Sequence, residues 1–172
     1  SEQSRLTKVL LMNTANIVLD DYGCEYSPRR QGAGLMDIYG AVTTPVRVVD
    51  ADTKEAKVEL KDFESTAFTM RFLAINDSGT DATYNVNVVV LKDYIYSYGD
   101  AELNLLSSDY IDAIVDSPDT ITVPANDQIE FEVRVDIGSD PTIYRNMFVE
   151  GFVVLSDVNG NNPNLSVPYV GF

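Results

Sequence analysis

The 172-residue chain has no histidine, no tryptophan and a single cysteine. Without histidine there can be no Ser-His-Asp or Cys-His nucleophile, and the commonest ligand of catalytic zinc is missing. Cys24 has no partner for an intrachain disulfide and no imidazole to activate it as a nucleophile. Basic residues are scarce, with 12 Lys and Arg against 27 Asp and Glu, for a net charge of -15. Such a charge repels phosphate backbones and anionic bilayers, so it argues against nucleic-acid binding and for a solvated acidic surface. No apolar run reaches the ~18 residues of a membrane helix. The polar start Ser1-Glu2-Gln3-Ser4 does not read as an export leader, so an exported protein would carry its address outside this chain.

Hydrophobic residues make up 45% of the chain, enough for a substantial core. Ser4 to Ala15 reads as a helix, with Leu6, Val9, Leu10 and Asn13 on one face, Leu11 and Met12 widening it, and Ser4 as its cap. The stripe is too wide for a lone surface helix and needs cover, from the rest of the chain or from another molecule. Asn16 to Tyr26 follows as a polar segment with turn composition. Pro28, Gln31, Gly32 and Gly34 then form a structural turn, and Leu35, Met36, Ile38, Tyr39 and Val42 recur at helical spacing after it. Gly32-Ala33-Gly34 is half of a dinucleotide fingerprint, but Asp37 stands where the third glycine belongs and no strand precedes it.

From Thr43 onward the period changes from helical to two. Extended runs are expected at 46–49, 57–63, 66–75, 83–91, 128–137, 145–156 and 165–170. The clearest is the fifth, where Ile129, Phe131, Val133, Val135 and Ile137 alternate with Glu130, Glu132, Arg134 and Asp136. About seven strands separated by turns predict a mainly β fold, an antiparallel immunoglobulin- or fibronectin-III-like sandwich preceded by a short helical segment. The absence of tryptophan and of paired cysteines excludes the antibody type. Lys92 to Pro118 breaks the rhythm and is expected to be a long loop, with an extra short strand or helix around 103–115 as the alternative. Its Tyr94, Tyr96, Tyr98 and Tyr110 are candidates for substrate or partner contact, or for packing the end of the sandwich.

Neither a metal nor a cofactor is expected. Asp157 to Asn161 opens like a calcium loop, but Asn162 replaces the required glycine and Pro168 the required glutamate. Asn76-Asp77-Ser78 and Asn164-Leu165-Ser166 match the glycosylation sequon, a weak pattern.

Two stretches carry a family resemblance. Lys8-Val-Leu-Leu-Met-Asn-Thr-Ala15 followed by Pro28-Arg-Arg-Gln-Gly-Ala-Gly-Leu-Met-Asp37 resembles the end of a subtilase catalytic domain. The second is spread over Val58-Glu-Leu-Lys-Asp-Phe63, Thr83-Tyr-Asn-Val86, Thr122-Val-Pro-Ala125, Val149-Glu-Gly-Phe152 and Val167-Pro-Tyr-Val-Gly-Phe172. It is similar to the fibronectin-III-like domain that follows the catalytic domain in subtilisin-like serine proteases of the cell-envelope type, the lactocepin and complement-cleaving group. The resemblance implies residues 1–43 as the tail of the protease domain and 44–172 as the sandwich. It implies an extracellular bacterial parent, secreted or wall-associated, that cuts peptide bonds with a serine nucleophile. None of the family's triad positions lies in this chain, so the chain itself is expected to be non-catalytic. Its implied role is to brace the parent's catalytic domain, its intramolecular partner, and to help position protein substrates. Dimerisation through the exposed N-terminal helix is a further expectation, and an independent adhesion or ligand-binding module is the alternative function.

Overall fold

The computed structural model describes residues 2–172. Its elements are α1 (Glu2–Asn13), α2 (Pro28–Gln31), α3 (Ile38–Thr43), β1 (Val46–Asp50), β2 (Val58–Lys61), β3 (Ala67–Asn76), β4 (Ala82–Tyr98), β5 (Ala101–Tyr110), β6 (Ile114–Asp116), β7 (Thr120–Val123), β8 (Gln128–Asp136), β9 (Val149–Asp157) and β10 (Leu165–Gly171). Alternation drives the layering, because a strand with charge at every second position can bury only one face. One sheet has the order β1-β3-β8-β6 and the other β2-β10-β9-β4-β5, with β7 also on β4. Between them lie Val46, Val48, Met70, Phe72, Tyr84, Phe131, Val133, Val135, Val153, Leu155, Val167 and Tyr169, all buried. Phe72 and Phe131 stack at 5.2 Å between ring centroids. The expected sandwich is present.

The strand count differs. Three elements, β5, β6 and β7, join the seven expected. The Lys92 to Pro118 stretch is largely strand, because β4 continues through Tyr98, reverses at Gly99-Asp100 and returns as β5. Gly99 has a φ of 61°, the left-handed geometry that a two-residue hairpin turn requires. One pairing, β2 with β10, is parallel in an otherwise antiparallel arrangement. The ninth strand starts at Val149, later than expected, and Phe148 just before it packs edge-on against Phe172.

The N-terminal helix starts at Glu2, so Ser4 lies within it and is not its cap. After Gly34 the helix begins only at Ile38, capped by Asp37, whose Oδ1 accepts the Gly40 N–H at 2.9 Å. Leu35 is instead extended and exchanges two 2.8 Å backbone hydrogen bonds with Asn16.

The sandwich covers one side of α1. Val9 and Met12 pack on Val49, Ala51, Ala56 and Leu73, on the outer face of the smaller sheet. Asn13, with no exposed surface, receives the Val48 N–H at 2.7 Å and donates to Val48 O (2.9 Å) and Ser166 O (3.2 Å). One side-chain amide therefore satisfies the free edge of β1 and reaches across to β10 in the opposite sheet. Asn13→Ala strands these buried groups and should cost about 3 kcal/mol, read as a lowered urea midpoint with unchanged slope.

Candidate functional site

The segment after α1 runs over the outer face of the larger sheet. Cys24 and Ile17 pack on Val89, Leu91, Phe152 and Val154, which alternation turns outward from β4 and β9. Beside them is a charge cluster. The Arg29 guanidinium grips Glu150 with Nε (3.1 Å to Oε2) and Nη2 (2.8 Å to Oε1), and reaches Asp93 Oδ1 at 2.7 Å. Its Cζ lies 3.7 Å from the centre of the Phe148 ring. Glu150 is fully buried. Burial works against the charge on Arg29, but the hydrogen bonds and charges of Glu150 and Asp93 outweigh it and raise its pKa.

The turn residues bring the segment into place. Pro28 opens α2, where its missing N–H is no loss. Gly32 closes that turn by donating its N–H to Pro28 O at 2.8 Å. Gln31 ties the segment to itself: its Oε1 receives the Val18 N–H at 2.7 Å, and its Nε2 donates to Val18 O and Tyr26 O. Gly34 has a φ of 123°, and a Cβ there would lie 2.3 Å from Asn16 O. Its role is close backbone approach between the two bridged strands.

The tyrosines stand on the β4–β5 hairpin. Tyr94, Tyr96 and Tyr98 are all exposed; Tyr96 stands opposite Leu103 and Tyr98 opposite Ala101, while Tyr94 lies at the register shift between Asp93 and Ile95. Tyr110 stands apart, at the other end of β5. Its hydroxyl donates to Glu25 Oε2 at 2.7 Å, and that bond, with burial, raises its pKa. The structure thus brings three of the four tyrosines together and assigns the fourth to the tail.

Two further groups bear on chemistry. Burial, with Glu25 nearby, pushes the Cys24 thiol up to about 11, leaving it inert at neutral pH. Lys92 reaches Asp140 at 3.3 Å on the inner side of β4 and also meets the Thr142 hydroxyl. Hydrogen bonds from Thr142 and from the Asp112 N–H, with Lys92 adding its charge, hold the Asp140 carboxyl far below the usual range. No group of three or more Cys, Asp or Glu placed to hold a metal occurs among the described residues. Sequence reasoning missed the Arg29–Glu150 and Lys92–Asp140 pairs. For Glu150 a signal existed: it is the only charge in the apolar run from Met147 to Leu155.

A large apolar face remains uncovered. Leu35, Met36, Ile38, Tyr39 and Val42 are each about two-thirds exposed or more. It continues into an open groove of about 470 Å³ lined by Leu11, Met12, Ala15, Ala33 and Met36.

A family model described as an Fn3-like domain matches residues 58–170. The chain is 36% identical over 175 residues to the PI-type proteinase of Lactococcus lactis subsp. cremoris, covering 96% of this chain and 9% of that protein. To the C5a peptidase of Streptococcus pyogenes serotype M1 it is 28% identical over 178 residues, covering 100% of this chain and 14% of that protein. The resemblance read from the two stretches is borne out, and the chain spans about a tenth of the length of these relatives.

Arg29→Met leaves Glu150 buried without its cation and should destabilise the fold by roughly 3 kcal/mol, with Arg29→Met/Glu150→Gln regaining part of the loss in the same urea titration. Because Asp140 is depressed on folding, its stabilisation is present above the unfolded carboxyl pKa near 4 and is lost as pH falls below it. The stability gap between the parent sequence and Asp140→Asn should therefore be widest near pH 7 and narrow toward pH 3.

Proposed function

Since the chain belongs to the Fn3-like domain family, we propose that it is the non-catalytic accessory part of an extracellular subtilisin-like serine endopeptidase, secreted or held at a bacterial cell wall. In this reading residues 1–43 close the protease domain, residues 44–172 form the sandwich that braces it, and no cofactor is required. The observation that carries it is the uncovered face of Leu35, Met36, Ile38, Tyr39 and Val42. The tail that bears this face is hydrogen-bonded and ion-paired to the sandwich on its other side, so the face is presented rigidly outward. A contiguous apolar surface of this kind marks a contact with another folded unit. Leu11 and Met12 of α1 line the adjoining groove, so one neighbouring domain would cover both.

Supporting proteins of this type act by orientation, and the tyrosine hairpin is the part of the sandwich built to touch a substrate protein. Tyrosine offers a large rigid contact with a polar tip at low entropic cost. The same hairpin would serve an independent ligand-binding module, the reading that remains if no protease domain adjoins. Self-association through the apolar face gives a dimer in place of the bracing contact.

Ile38→Glu with Val42→Glu separates these outcomes. In this chain both sites are exposed, so its melting temperature should hold within a degree or two. In the longer polypeptide the same pair should split one unfolding transition into two and reduce peptide hydrolysis at least fivefold. A single transition and unchanged hydrolysis would remove the bracing role, and a dimer in sedimentation velocity, abolished by the pair, would replace it.

A further inference from the structure

We infer that the hairpin of β4 and β5 takes on an extended, lysine- or arginine-bearing polypeptide segment, which adds as a further strand along the outer edge of β5. This rests on reading the hairpin as a contact element and is independent of whether a protease domain adjoins.

The unequal treatment of strand edges carries the argument. An unpaired edge is a row of backbone donors and acceptors ready for another strand, and folded proteins blunt such rows. Here the edge of β1 is occupied by the Asn13 amide. The edge strands β2, β6 and β7 are only three or four residues long, and β2 is flanked and interrupted by Lys57, Glu59 and Lys61. Residues 128–133 of β8, which β6 leaves unpaired, carry Glu130 and Glu132 at alternate positions. β5 is the longest of the edge strands at 10 residues, contains no proline or lysine, and pairs with β4 alone among the described strands, with a bulge over 105–107 dividing its pairing into 101–104 and 108–110. Ala101 to Leu106 is exposed throughout, including Leu103, Leu105 and Leu106. An added strand gains main-chain hydrogen bonds from such an edge, and its alternate side chains meet the apolar surface on each face. Leu103 and the facing Tyr96 provide one such surface.

Charge selects the occupant. No Lys or Arg occurs between Lys92 and Arg134, whereas Asp100, Glu102 and Asp109 flank or lie within β5. The nearest tail cations are already engaged, Arg29 with Glu150 and Asp93, and Arg30 with Asp93 and Asn104 Oδ1. The local field therefore attracts a cationic segment and repels an acidic one, a second copy of this -15 chain included.

The test uses the full chain and capped ten-residue peptides of alternating Val and Lys, of alternating Val and Glu, and of the Val/Lys sequence N-methylated at every amide. The Val/Lys peptide should bind and raise hydrogen-exchange protection of β5 amides at least tenfold. The Val/Glu and N-methylated peptides should bind at least tenfold more weakly. Tyr96→Ala combined with Tyr98→Ala separates the two layers of the reading. Retained β5 protection in that variant keeps strand addition and removes the tyrosines as the contact. Equal binding of the N-methylated peptide overturns strand addition while leaving a side-chain contact on the hairpin. Protection confined to residues 35–42, no binding of the Val/Lys peptide, or β5 already protected in a self-associated chain would each overturn the inference.

Discussion

A fully buried carboxylate on a central strand cannot persist without a cation, and this chain supplies that cation from 121 positions earlier. Glu150 sits on β9, between β10 and β4. Its partner Arg29 belongs to the tail, so the sandwich reaches its stable form only when the tail is laid across it. Asn13 imposes the same dependence at the flank, where one amide completes the backbone bonding of two sheets. The change of periodicity near Thr43 marks a change in local structure, yet the two stretches are joined by an ion pair to the buried Glu150 and by buried hydrogen bonds.

These contacts also fix how the hairpin stands. Lys92 and Asp93 are neighbours on β4 and point to opposite faces. Lys92 is held on the inside by Asp140, and Asp93 is held on the outside by Arg29 and Arg30. The root of the hairpin is thus gripped from both sides, and beyond it the two strands extend past the core with their side chains in solvent. A protruding element clamped at its base loses little freedom when something docks on it, which is the condition for a contact surface without a deep pocket.

Much of the fold was legible because a buried face of period two leaves a trace in sequence. Ile129, Phe131, Val133 and Val135 announce β8 without outside help. The hairpin was less legible, because neither of its faces is buried and the alternation of Tyr94, Tyr96 and Tyr98 lacks the apolar-in, polar-out contrast. That Gly34 belongs to a turn could be read from the breaker residues around it, whereas its close approach to Asn16 could not. The Arg29–Glu150 pair could not, since no local rule matches residues so distant. Glu150 within its apolar run signalled that a cation was needed, but not which one. The helical spacing after Gly34 holds for Ile38, Tyr39 and Val42 in α3 but not for Leu35 and Met36, which precede the helix. That they face outward follows from the hydrogen-bonded tail beneath them, which only the three-dimensional arrangement reveals.

The unequal edges have a bearing on assembly. A sandwich with two long open edges can pass strands from molecule to molecule without end, the geometry of a fibre. Here Asn13 occupies the edge of β1 and short strands cover part of the rest, so the unpaired edges among the described strands are interrupted ones: β5, divided by its bulge, and residues 128–133 of β8. An interrupted edge pairs over only a few residues at a time. Capping by Asn13 and the bulge in β5 thus limit how far strand pairing can pass from one molecule to the next, as well as stabilising the fold.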